Sequence, residues 1–70
     1  MKISARNVMQ GRITKIVEGP VSTEVTIEVG PKVEIVSSIT TTAAHSLGLK
    51  NGMEAYAVIK ATSVMVGVEH

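Results

Sequence analysis

Seventy residues make a single domain, residues 1–70. The absence of Cys excludes a disulfide scaffold, and His45 and His70 are too few imidazoles for a structural zinc site. Seven basic and six acidic residues leave a formal net charge of +1, which offers no broad field for nucleic acid or an anionic membrane.

The chain is 44% hydrophobic with Tyr56 as its one aromatic residue, so Val, Ile and Thr must build the core and a β-sheet is expected. Residues 2–6 are predicted as a short strand. Residues 8–18 form a longer one whose apolar positions do not keep one parity: Met9, Ile13 and Val17 fall on one side, Val8 and Ile16 on the other. Gly11 within it marks a bulge or a close backbone approach. Gly19-Pro20 turns the chain into a clean alternation, with Val21, Thr23, Val25, Ile27 and Val29 facing one way and Ser22, Glu24, Thr26 and Glu28 the other. Gly30-Pro31 leads to a third strand through Val33, Ile35, Ser37 and Ile39. A helix is predicted over 42–47, capped by Thr40, Thr41 or Thr42 and ended by Gly48. Asn51-Gly52 is a turn signal, and residues 54–60 and 63–68 are predicted as closing strands. The expected fold is all-β: a small five- or six-stranded Greek-key barrel related to the oligonucleotide/oligosaccharide-binding (OB) fold, with one short helix before the closing strands. A two-sheet sandwich is the competing arrangement.

No continuous apolar run follows Lys2, so no secretory signal is expected, and no stretch approaches the length of a spanning helix. The expected location is the cytoplasm. A chain this short buries a small fraction of its surface, and without Cys or zinc, association of copies is the remaining common staple.

The two ends carry the chemistry. Ser4-Ala5-Arg6-Asn7 and Lys60-Ala61-Thr62-Ser63 each place a cation beside hydroxyls and backbone N–H groups, and neither contains a carboxylate. Such a set suits a small, fully ionised oxyanion. Ser4 shares the parity of Arg6, and Thr62 that of Lys60; Ala61 is small enough to expose its N–H. Ordinary solvated strand residues are the bland reading of Arg6 and Lys60. His45 is read as an exposed or locally bonded helix residue. Asp is absent, so no Ser/His/Asp set exists, and Glu24 and Glu28 sit on a polar strand face. Met9, Met53 and Met65 are read as packing residues. One aromatic residue cannot supply the stacking platform of a single-strand binder. No enzyme activity is expected.

Taken together, Met-Lys-Ile-Ser-Ala-Arg-Asn at the start, Gly11-Arg12-Ile13, Gly19-Pro20-Val21-Ser22-Thr23-Glu24-Val25, Leu47-Gly48-Leu49 with Gly52, and Lys60-Ala61-Thr62-Ser63-Val64-Met65-Val66-Gly67 give the chain its family likeness. It resembles the molybdenum-pterin-binding proteins, the molbindins or Mop domains, over essentially residues 1–68. The resemblance implies a small OB-like barrel that stores or buffers molybdate, and accepts tungstate, in the cytoplasm. It also implies a homohexamer, a trimer of dimers, with sites between subunits. One subunit is then expected to give Ser4, Arg6 and Asn7, and a neighbour Lys60, Ala61 and Thr62, with help from the segment around Thr40. A second oxyanion site is implied at the Gly19, Pro20, Val21 and Ser22 turn. No directly ligated metal and no pterin are assumed. Ala43 stands where many members carry a donor Ser, Gly30-Pro31 replaces the common Gly-Gly, and Ser22-Thr23 replaces Asn-Ala. The alternative is an oligomerisation or regulatory domain whose anion site is vestigial.

Overall fold

The antiparallel ladder begins where the apolar alternation begins. In the computed structural model, which describes residues 1–69, β1 spans Asn7–Glu18, β2 Ser22–Gly30, β3 Val33–Thr40 and β4 Glu54–Ile59. They form one four-stranded antiparallel sheet in the order β3-β2-β1-β4. Helix α1, Thr41–Leu47, lies between β3 and β4. Although β3 and β4 stand at opposite ends of that order, Ile35, Val36 and Ser37 of one share a groove with Tyr56, Ala57, Val58 and Ile59 of the other. The sheet is therefore curled into a half-barrel.

Ile13, Val25, Ile27 and Ala57 form the buried core, with Met9, Ile16, Val29, Ile35, Ile39, Leu49 and Ala55 packed against it. The mixed parity of β1 has a structural cause. Ile13 pairs with Ile27 but Lys15 pairs with Thr26, so Thr14 is an extra residue in a β-bulge. The bulge resets the alternation, which lets Ile16, opposite Val25, face inward three residues after Ile13. Gly11 is the other of its two predicted roles, a close approach. A Cβ there would overlap the Glu28 carbonyl oxygen and crowd the Ile27 Cγ2.

Thr40 is the N-cap of α1, its Oγ1 accepting the Ala43 N–H at 3.0 Å. Gly48 ends the helix at φ 64°, and the Leu49 N–H donates to the Ala44 carbonyl at 3.2 Å. The Asn51-Gly52 turn sits on the bulge side of β1, with Gly52 N–H donating to Ile13 O at 2.7 Å and Ile13 N–H to Met53 O at 2.9 Å.

The expected count of five or six strands is not reached within one chain. Residues 2–6 are irregular. After Lys60 the chain folds into a 3-10 turn, Ala61–Ser63, with Ser63 N–H bonded to Lys60 O at 2.8 Å. That turn leads residues 64–68 off the sheet, where Met65 and Val66 are 94% and 90% exposed. A strand needs an edge to pair with, and in the single chain these segments pair with neither free edge of the sheet, β3 or β4. No helix among the described residues is long and apolar enough to cross a membrane.

Candidate functional site

The last rung of the β1–β4 ladder is Asn7 opposite Ile59. The residues just beyond it on the two strands are Arg6 and Lys60, so antiparallel pairing itself brings the two basic segments together. Ser4, Ala5, Arg6, Lys60, Ala61 and Thr62 line one shallow cleft of about 220 Å³, with no carboxylate in its wall. Arg6 and Lys60 are exposed and neither is in an ion pair among the described residues. The 3-10 turn uses the N–H groups of Ser63 and Val64. Those of Ala61 and Thr62 donate to no acceptor among the described residues, and the Ser4 and Thr62 hydroxyls are likewise free. The cleft thus offers two cations, two hydroxyls and two backbone donors, and no acceptor charged against an anion.

The expectation set these two segments on different subunits; within one chain they already meet. The Ser4–Arg6 and Lys60–Thr62 segments of the same chain share the cleft, because β1 and β4 are neighbours in the sheet and end together. Asn7 is present at the rim but turned away: its Nδ2 donates to the Ile59 carbonyl at 3.2 Å and it does not line the cleft.

Thr40 is not near them in its own chain. It pairs with Ser22, beyond the Glu18–Thr23 end of the sheet, about 36 Å along β1 from Asn7 at the usual rise of a strand. There it adjoins the Gly19, Pro20, Val21 and Ser22 turn. Thr41 locks that turn to the helix: its N–H donates to Val21 O at 2.8 Å and its Oγ1 donates to Gly19 O at 2.6 Å. Since the single Thr41 hydroxyl proton goes to Gly19, the fully buried Thr23 hydroxyl donates to Thr41 Oγ1 at 2.8 Å.

As an anion site the turn is poor within one chain. Gly19 N–H is taken by Ser22 O at 2.9 Å, Pro20 has no N–H, and no cation stands in the turn itself. The carboxylate of Glu18 is adjacent, bonded at 2.8 Å to His45 Nε2 across an exposed surface. His45 is therefore the locally bonded helix residue expected. Among the described residues no group of three or more His, Cys, Asp or Glu converges on a metal position.

The amino-acid pattern of a TOBE domain matches residues 3–66. A Haemophilus influenzae protein named "Probable molybdenum-pterin-binding protein" is 49% identical over 99% of this chain and 100% of its own length. The chain belongs to the molybdenum-pterin-binding, or molbindin, family. Among solved molbindin-type structures, MopII from Clostridium pasteurianum superposes with a TM-score of 0.90 at 37% identity, covering 96% of this chain and 100% of that one. The cytoplasmic molybdate-binding protein ModG, solved with molybdate bound, superposes at 0.92 with 43% identity over 99% of this chain. This chain spans 49% of the ModG chain, about half its length. The half-barrel with one short helix is thus a molbindin fold, and the cleft between Arg6 and Lys60 is its donor-rich end.

Two features of the candidate cleft escaped the sequence. The sharing of the cleft by one chain depends on which strands pair across the sheet, and no local pattern encodes that. The orientation of Asn7 away from the cleft depends on the Ile59 carbonyl, 52 residues distant.

Proposed function

We propose that this protein binds molybdate, and tungstate alike, as a cytoplasmic storage or buffering protein. The observation that carries the reading is the cleft in which Ser4, Arg6, Lys60, Ala61 and Thr62 present donors and positive charge with no carboxylate. The names of the relatives, among them a cytoplasmic molybdate-binding protein, support it.

The donor set argues the choice of anion. Molybdate near neutral pH is a divalent tetrahedron without protons and only accepts hydrogen bonds. Phosphate is partly protonated and needs an acceptor, so a donor-only cleft leaves its proton unpaired at about 1–3 kcal/mol. Sulfate is unprotonated but smaller, and donors spaced for molybdate do not close on it. Tungstate is nearly the size of molybdate and binds alike. The reading is that of a binder: the compared relatives are named for binding, and no chemistry is assigned to the anion. Pterin is not part of it, since Tyr56 alone offers little stacking surface.

The proposal includes assembly. Ile3, Val64, Met65, Val66 and Val68 are apolar and at least half exposed, and the edges of β3 and β4 stand unpaired in the single chain. Segments 2–6 and 63–68 pair with another copy, completing a five- or six-stranded OB-like barrel, and six chains form a trimer of dimers. Thr40 reaches the anion from a neighbour: its Oγ1 accepts from Ala43, and its own proton remains to donate. Asn7 belongs with this cleft, and the Gly19–Ser22 turn is a second site in which a neighbour would supply the missing cation.

Native mass spectrometry with and without molybdate is the test. The expected result is a particle of six 7.4 kDa chains that gains mass in steps of bound oxyanion. Calorimetry should rank molybdate and tungstate equal, sulfate weaker and phosphate weakest. A stable monomer sinks the assembly, and phosphate binding as tightly as molybdate sinks the donor-only site. An intact oligomer that retains no molybdate supports the oligomerisation domain instead.

A further inference from the structure

We propose that Asn7 is a positioning residue rather than an anion ligand: its side-chain amide clips the start of β1 to the end of β4 and so holds Arg6 beside Lys60. The inference rests on the molybdate reading of the cleft and refines which groups touch the anion. Four observations carry it. The half-buried Asn7 donates through Nδ2 to the Ile59 carbonyl at 3.2 Å. Asn7 opposite Ile59 is the final rung of the ladder, so nothing beyond it ties the two strands. Arg6 and Lys60 are the next residues on each side, exposed, and without a carboxylate partner among the described residues. Asn7 itself is absent from the wall of the cleft formed by its neighbours.

The physics asks for such a clip. Two cations on adjacent chain ends repel each other when no anion lies between them. Strand ends fray, and the separation of the charges then varies while the site waits for ligand. An additional bond at the last rung opposes that splaying and prepares the donors in advance, which lowers the ordering cost of binding. An amide meets the need because it donates to a carbonyl and carries no charge. A carboxylate at position 7 would meet the Ile59 oxygen with another acceptor and set a negative charge beside the anion.

The sequence makes a direct readout possible, since Asn7, Gln10 and Asn51 are the only side-chain amides. In spectra of the deuterated, nitrogen-15-labelled full chain, the Asn7 pair is identified by its loss in Asn7→Ala. Without anion, its protons should exchange with solvent more slowly than those of Asn51. On saturation with molybdate they should move little, while the backbone amides of Ala61 and Thr62 move strongly. Asn7→Ala should weaken molybdate binding about three- to tenfold, the range of one lost hydrogen bond. It should also speed amide exchange around Ile59 and Lys60 in the anion-free protein, and Asn7→Asp should weaken binding further. An Asn7 shift as large as that of Thr62 makes it a ligand and overturns the proposal. So does unchanged affinity in Asn7→Ala, in an assembly of wild-type mass. If the wild-type chain binds no molybdate, the functional reading fails, while the anion-free exchange of Asn7 still decides whether the clip exists.

Discussion

Exchanging subunits between variants determines which site residues share a chain. Arg6→Ala and Lys60→Ala each remove a charge-assisted donor from a divalent anion, a loss of about 1.5–3 kcal/mol, or about 10- to 150-fold in Kd. Thr40→Asp is the third variant. Asp is as good an N-cap as Thr or better, so α1 keeps its bond to the Ala43 N–H, but a donor toward the anion becomes a repelling carboxylate. Each homogeneous variant should bind weakly. When Arg6→Ala and Lys60→Ala chains are dissociated, mixed and reassembled, binding should stay weak, because both residues line one cleft of one chain and every site lacks one of them. When Arg6→Ala and Thr40→Asp chains are mixed, about a quarter of the sites should pair an intact cleft with an intact Thr40, if chains assort freely in a symmetric oligomer. Equilibrium dialysis against labelled molybdate reads the recovery, and native mass spectrometry proves the mixing. Recovery in the first mixture would place Arg6 and Lys60 on different chains and refute the cleft. No recovery in the second, with mixed assemblies present, would remove Thr40 from the site.

Other substitutions test the neighbouring parts. Gly11→Ala drives a methyl into the Glu28 carbonyl across the sheet and should destabilise the fold by about 1–3 kcal/mol, read as a lower thermal midpoint. Thr41→Val leaves the buried Thr23 hydroxyl without its acceptor, at about 1–3 kcal/mol; adding Thr23→Val should restore most of that loss in denaturant titration. Ala43→Ser adds a donor three residues after Thr40 and should tighten molybdate binding about three- to tenfold by calorimetry. An unchanged affinity would separate this position from the anion.

What the sequence disclosed follows from the range over which each feature is encoded. The alternation of Val25 and Ile27 needs only its own strand, and the helix end at Gly48 needs only one residue able to adopt a left-handed backbone. The three threonines Thr40, Thr41 and Thr42 are locally equivalent as caps. Distant partners separate them: Thr40 takes the cap, and Thr41 is drawn to Gly19 and Thr23. The sequence offered Gly11 as a candidate bulge, whereas the bulge falls at Thr14, a place fixed by where β2 pairs. The terminal strands were predicted from the sequence, yet residues 2–6 and 64–68 stay off the sheet in the single chain, although the outer edges of β3 and β4 are open. The site stands at this boundary between local and distant information. The donor content of the candidate site was legible, because a run of donors without carboxylates is a property of composition. Its geometry was not, because Arg6 and Lys60 lie just past the last ladder rung, where alternation stops, and their proximity is set by the pairing of Asn7 with Ile59. A substitution that shifted this register by one residue would leave both motifs intact in the sequence and turn one of the cations to the opposite face of the sheet. The donor set alone is therefore not a cleft; the register of β1 on β4 gathers it into one.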